Sequence, residues 1–228
     1  MVQDRRGGHP ATPDVVAERA AVAKVRQFIN NVRREAPDLE VVEYRRQPPV
    51  SEIDDQLEDI SSAWLAMKKG GEMGFNLGLF SVEDLHDERT LIARRADGTV
   101  EAFVTWLPYR AGRAVVLDAM RHRPNAQQGV MDLLIAESAL LFKSGGLQAA
   151  SLATAPLANA DDQAAVSPYD VGVRLLFEHF SSVYGYRSLF QYKMKFAPAC
   201  EPRYLVFRRP DHLLRAAYAL VSFHYAHG

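Results

Sequence analysis

Val115-Val116-Leu117-Asp118-Ala119-Met120-Arg121 is an apolar run that reaches a carboxylate and, three residues later, a guanidinium. Its β-branched start predicts a buried strand, Ala114 to Met120, and ionised groups at the mouth of such a strand must be paired or used. Upstream, Thr90 to Arg95, the turn Ala96-Asp97-Gly98 and Thr99 to Leu107 read as a β-hairpin, because Asp-Gly suits the positive φ of a tight turn. Downstream, strand and helix alternate. Gln127 to Lys143 places Val130, Leu133, Leu134 and Leu141 at helical spacing and stops at Gly145-Gly146. Leu147 to Thr154 reads as extended, Ser167-Pro168 starts a helix to about Tyr184, and Ser188 to Phe196 and Tyr204 to Arg208 read as strands.

Ahead of the hairpin the period is helical. Thr12 and Pro13 open a helix with Val22, Val25, Ile29 and Val32 on one stripe, ending before Pro37. Leu39 to Tyr44 is extended, and Ser51 to Lys69 is a second helix with Ile53, Leu57, Ile60, Trp64 and Leu65 inward, stopped by Gly70-Gly71. Residues 1–12 are polar and expected to be disordered.

The 228 residues are 48% hydrophobic, enough for one main domain with an appendage. A formal net charge of −1 and a pI near 6.7 exclude a protein that is basic all over, so any nucleic-acid partner must be held by a local patch. The single cysteine, Cys200, excludes an internal disulfide framework and fits a reducing compartment. With no spanning-length apolar run and no signal core, a soluble, cytoplasmic chain is expected. His212 to His227 forms an amphipathic stripe that reads as a C-terminal helix.

Meander, helix, strand, helix, strand, strand is the element order of the GNAT acyltransferase fold, so an α+β, GNAT-like mixed sheet flanked by helices, with an N-terminal helical extension, is expected. GNAT enzymes that use acetyl-CoA usually cradle its pyrophosphate on free backbone N–H groups of a Gly-containing loop after the central strand. Here that loop is Arg123-Pro124-Asn125-Ala126-Gln127-Gln128-Gly129-Val130-Met131, with one glycine and a bulky Met131. Gly129 reads either as part of such a loop or as a loose first helical turn.

Seven pieces in order carry a family resemblance: Ile60-Ser61-Ser62-Ala63-Trp64-Leu65, Glu72-Met73-Gly74-Phe75-Asn76-Leu77-Gly78-Leu79-Phe80, Asp118-Ala119-Met120-Arg121, Gly129-Val130-Met131-Asp132, Ala155-Pro156-Leu157, Lys193-Met194-Lys195-Phe196 with Pro198, and Pro202-Arg203-Tyr204-Leu205. Over roughly residues 20 to 208 they resemble the C-terminal catalytic region of the phosphatidylglycerol lysyltransferase family, aminoacyl-tRNA-dependent enzymes that put amino acids on membrane lipids. That family usually has two GNAT-like halves behind a membrane-embedded portion, and this chain has the length of the second half plus a joining helix. It departs from the family at Ala197-Pro198-Ala199-Cys200-Glu201, where an aromatic usually precedes the Glu. The resemblance implies aminoacyl-tRNA as donor, a lipid acceptor reached by transient membrane contact at the inner membrane face, and no cofactor. The expected organisation is a GNAT-like aminoacyltransferase domain over 49–209, preceded by a helix and linker over 13–48 and followed by a C-terminal helix over 210–228.

Transfer from an ester to a hydroxyl needs a proton acceptor, a holder for the ester and cations for phosphates. Asp118, desolvated at a strand end, is the candidate base or anchor for the donor's α-ammonium, and Arg121 the candidate holder of a phosphate or ester oxygen. A structural Asp118–Arg121 ion pair is the alternative for both. From Tyr186 to Arg209 six basic residues, Arg187, Lys193, Lys195, Arg203, Arg208 and Arg209, face one acid, Glu201, with aromatics between them. On a strand, Lys193 and Lys195 would project to one face about 7 Å apart; a merely solvated edge strand is the other reading. Glu72 and Phe75, in a glycine-rich turn, join Lys193, Lys195, Arg203 and Tyr204 as substrate-binding candidates. The histidines lack metal spacing, so no metal is expected. A CoA-dependent N-acyltransferase and a non-catalytic degenerate transferase module are the alternatives. Oligomeric state is not legible in the sequence.

Overall fold

The computed structural model describes residues 15–67, 80–154, 186–201, 208–209, 212 and 215. Helix α1 (Val15–Glu35) leads into strand β1 (Glu40–Tyr44) and helix α2 (Ser51–Ala66). A short 3-10 helix (Val82–His86) precedes β2 (Arg89–Arg94), β3 (Val100–Tyr109) and β4 (Ala114–His122). Helix α3 (Val130–Ser144), strand β5 (Ala149–Ser151) and helix α4 (Tyr186–Met194) follow. The sheet order is β1-β2-β3-β4-β5; the first four strands pair antiparallel and β5 lies parallel to β4. This mixed sheet with flanking helices is an α+β, GNAT-like fold.

The hairpin forms where its turn chemistry places it. Gly98 has φ +89°, the Arg95 N–H donates to the Thr99 carbonyl at 2.8 Å, and the Thr99 N–H donates to the Asp97 carboxylate at 2.9 Å. Each face of the sheet carries its own apolar layer. Val32 of α1, Ala36 just after it, and Leu133, Leu134 and Phe142 of α3 cover Leu91, Val104, Trp106 and Leu117 on one face. Leu57 and Ile60 of α2, with Val82 and Leu85, cover Ile92, Phe103 and Ala119 on the other.

Gly129 precedes α3 with φ +83°, and a Cβ there would lie 2.8 Å from the Val32 side chain. Its role is close approach of α3 to α1 in a left-handed conformation that costs an L-residue about 1–2 kcal/mol. Gly129→Ala should therefore lower the melting temperature by about 2–8 °C, measured by thermal unfolding. Unchanged stability with loss of a bound anion would instead make this glycine a ligand loop.

Two sequence expectations change. The segment Ser188 to Phe196, expected as a strand, is helix α4 through Met194, followed by a turn. Its exposed positions Ser188, Gln191 and Met194 recur every three residues rather than every two, and Tyr192 meets Phe196 one turn on, edge to face at 5.6 Å. A nine-residue stretch in which apolar and polar residues alternate satisfies both periods, and packing chooses. The strand expected over Leu147 to Thr154 shortens to Ala149–Ser151, because Ala153, at φ 61°, turns the chain out of the sheet. Of helix Ser51 to Lys69, residues Ser51–Ala66 are helical and the last two lie outside the described residues. The Thr12-Pro13 cap, the Ser167 to Tyr184 helix and most of Tyr204 to Arg208 and of the C-terminal helix also lie outside them.

Candidate active site

Strand β4 brings the candidate residues together because it is irregular. Trp106 pairs with Leu117 but Val104 pairs with Met120, so β4 has one residue more than β3 across this interval. Such a bulge reverses the alternation of faces. Val115 and Leu117 pack on the α1/α3 side, whereas Ala119 packs on the α2 side. In an unbroken strand Asp118 and Arg121, three residues apart, would project to opposite faces. The bulge brings both to the α2 side.

The contacts of each residue bear this out. Thr105, two residues from Phe103 on the α2 side, accepts from the Ala119 N–H at 3.1 Å and lies 3.4 Å from the Asp118 carboxylate. Arg121 is 4% exposed; its Nη1 donates to Ser61 Oγ at 2.5 Å, and its guanidinium stands 5.2 Å from the Trp64 ring and 5.0 Å from that of Phe80. The guanidinium is thus oriented by α2 and by Phe80, two residues before the 3-10 helix, rather than swinging freely.

A residue not singled out from the sequence joins them. Glu88, immediately before β2, is half-buried, and burial pushes its carboxyl up to about 7, partly opposed by the Thr105 hydroxyl and reinforced by the carboxylates of Asp118, Asp84 and Asp87. The acidic run Glu83 to Glu88 was visible, but its relation to Asp118 depends on cross-strand register. Raised carboxyls of this kind gather at functional sites.

The two lysines sit elsewhere. Lys193 is buried and donates to the Thr154 carbonyl at 3.0 Å, and burial lowers its pKa. Lys195 donates to both carboxylate oxygens of Asp132, at 2.9 and 2.8 Å, and its ammonium lies 4.8 Å from the Tyr192 ring. Burial and the Asp132 charge hold the Tyr192 phenol above its ordinary range. The expected two prongs on one strand face are therefore not formed: one lysine serves a carbonyl and the other a buried carboxylate. Glu72, Phe75, Arg203 and Tyr204 lie outside the described residues. Among the described residues no group of three His, Cys, Asp or Glu side chains is placed to hold a metal ion.

The loop where a pyrophosphate would bind is occupied by the protein itself. The Gln127 N–H donates to Glu101 Oε2 at 2.8 Å, and the space beside Gly129 is filled by Val32. The anion at this loop is thus an internal carboxylate.

The pattern of the family described as "Phosphatidylglycerol lysyltransferase, C-terminal" matches residues 20–207. The chain belongs to that family. It is 32% identical over 168 residues to a phosphatidylglycerol lysyltransferase of Staphylococcus haemolyticus, covering 73% of this chain and 20% of that protein. It is 29% identical over 163 residues to the one of Bacillus subtilis, covering 71% of this chain and 19% of that protein. The structure of L-PGS from Bacillus licheniformis superposes with a TM-score of 0.68 and 25% identity, over 88% of this chain and 60% of that one. The chain thus spans about a fifth of the length of these curated relatives. Asp118, Arg121, Gly129 and Asp132 all fall inside the matched span.

Proposed function

We propose that this chain moves an amino acid from aminoacyl-tRNA to a hydroxyl of a lipid such as phosphatidylglycerol. The observation that carries this is Asp118 and Arg121, drawn to one face by the β4 bulge, within a chain of the phosphatidylglycerol lysyltransferase C-terminal family. The relatives are named for transfer of lysine to that lipid.

Asp118 anchors the donor's α-ammonium or takes the hydroxyl proton. Arg121, oriented by Ser61 and two rings, stabilises the ester oxygen with its positive charge as negative charge develops there. Glu72, Phe75, Arg203 and Tyr204 complete substrate binding, and no cofactor takes part. Lys193 and Lys195 contribute by holding α4 in place, while the donor's phosphates fall on the cations further along the same segment. Arg208 and Arg209, both exposed, are among these. The lipid acceptor is met by transient contact with a bilayer; among the described residues no helix is long and apolar enough to cross one.

The test is incubation of the chain with tRNA charged with labelled amino acids and vesicles containing phosphatidylglycerol. Label moving into the lipid fraction is expected. Label that stays on tRNA, with an acyl group taken instead from acyl-CoA, would replace this function by N-acylation, against which the Glu101-filled loop weighs. Arg208→Ala with Arg209→Ala should weaken tRNA binding and flatten its salt dependence by about 1–2 units of log–log slope, since each phosphate contact contributes roughly 0.7–0.9. Filter binding at several salt concentrations measures this, and an unchanged slope would move the donor site to another surface.

A further inference from the structure

On the α2 side of the sheet, polar residues form a row across three strands in the midst of an apolar layer. Thr90 of β2 pairs directly with Thr105 of β3, and Glu88 lies two residues before Thr90, on the same face. The β4 bulge then turns Asp118 onto Thr105 from the other side. Cross-strand and diagonal neighbours of this kind are within side-chain reach. The order across the sheet is Glu88, Thr105, Asp118.

Thr90 is 0% exposed, and its hydroxyl has no hydrogen-bond partner among the described residues. A buried hydroxyl is usually satisfied; this one lies enclosed within the row, directly across from Thr105. The groups facing Glu88 are the Thr105 hydroxyl and the carboxylates of Asp118 in β4 and of Asp84 and Asp87 around the 3-10 helix. Two carboxyls on either side of one hydroxyl do not readily ionise together, so their roles separate.

We propose that Glu88 is a second catalytic carboxylate of the transfer, the group that takes the proton of the acceptor hydroxyl while Asp118, across Thr105, holds the donor's ammonium; this rests on the transferase function proposed above. As the acceptor oxygen bonds to the ester carbonyl carbon, its proton passes to a Glu88 carboxylate oxygen. When the tetrahedral intermediate collapses, the bond from that carbon to the ribose oxygen breaks and the ribose oxygen takes the proton back from Glu88. Atoms and charge balance, and Glu88 ends as it began. A base that titrates near the working pH is the most effective one for such a relay.

The experiment is the pH profile of kcat/KM for transfer from charged tRNA to phosphatidylglycerol vesicles, with the parent chain, Glu88→Gln and Glu88→Asp. The parent rate should rise through an apparent pKa of about 7. Glu88→Gln should lower kcat about a hundredfold or more, lose that limb and leave binding of charged tRNA unchanged, while Glu88→Asp should restore part of the limb. Folding is checked independently. Because the Glu88 carboxyl is raised in the folded state, its ionisation removes stability as pH climbs from about 4.5 through about 7. Glu88→Gln should therefore melt higher than the parent at pH 8, with the difference closing below pH 4.5. A folded Glu88→Gln that keeps both rate and limb overturns the role of Glu88 and leaves the transferase function standing. A parent chain that transfers nothing from charged tRNA overturns both.

Discussion

Asp118→Asn should lower transfer about 10²–10³-fold, the size of effect found when one preorganised electrostatic group is removed from a reacting centre, while the melting temperature moves by only a few degrees. The asymmetry follows from the neighbours of Asp118. Asn has almost the same shape and keeps an oxygen beside Thr105, and the charge it removes is one that opposes ionisation of Glu88. With that oxygen kept, the proposed role predicts a small loss in folding and, in the site, loss of the carboxylate assigned to the donor. A structural ion pair would behave in the opposite way: leaving a buried guanidinium without its counter-charge costs about 3–5 kcal/mol, a fall of roughly 6–20 °C for a chain of this size. Paired measurements of melting temperature and single-turnover transfer separate the two roles. Arg121→Lys sharpens the comparison, because a lysine keeps the charge but not the planar fork held between Trp64 and Phe80.

The features that were legible in the sequence share one property: each is fixed by residues close together in the chain. Asp97-Gly98 sets the hairpin, and Leu57 and Ile60 set the inward face of α2. The apolar run before Asp118 sets β4, although it continues to His122 because Arg121 packs against α2 rather than ending the strand in solvent. The features that were not legible depend on what lies across the sheet. The β4 bulge is a count of residues between two pairings, Trp106 with Leu117 and Val104 with Met120, and no local pattern records it. Without it Asp118 and Arg121 could be named but not placed on one face, and Glu88 could not be connected to them. Segment 188–196 failed differently. Its alternation of Lys193, Met194 and Lys195 suits a strand, but Lys193 finds the Thr154 carbonyl and Lys195 finds Asp132, partners distant in sequence that only a helix end delivers together.

That last contact gives the largest expected stability effect. Asp132 lies in the first turn of α3 with its side chain 8% exposed, and Lys195 reaches it from beyond the end of α4. Lys195→Met keeps the length and apolar stem of the lysine but strands the carboxylate. Removing one partner of a fully buried pair costs about 3–5 kcal/mol. Here the cost should be lower, about 2–3 kcal/mol, because the lysine side chain is 37% exposed and the positive end of the α3 dipole offsets part of the carboxylate's loss. The melting temperature should fall by about 4–12 °C. Asp132→Asn combined with Lys195→Met should recover part of that loss, since the double variant leaves no unmatched charge, and the cycle isolates the pair from each residue's other contacts. Transfer by Lys195→Met, assayed well below its melting temperature, should fall far less than transfer by Asp118→Asn. If Lys195→Met instead melts like the parent and loses charged-tRNA binding, the lysine serves the donor's phosphates, and its contact with Asp132 is only where it rests when no donor is bound.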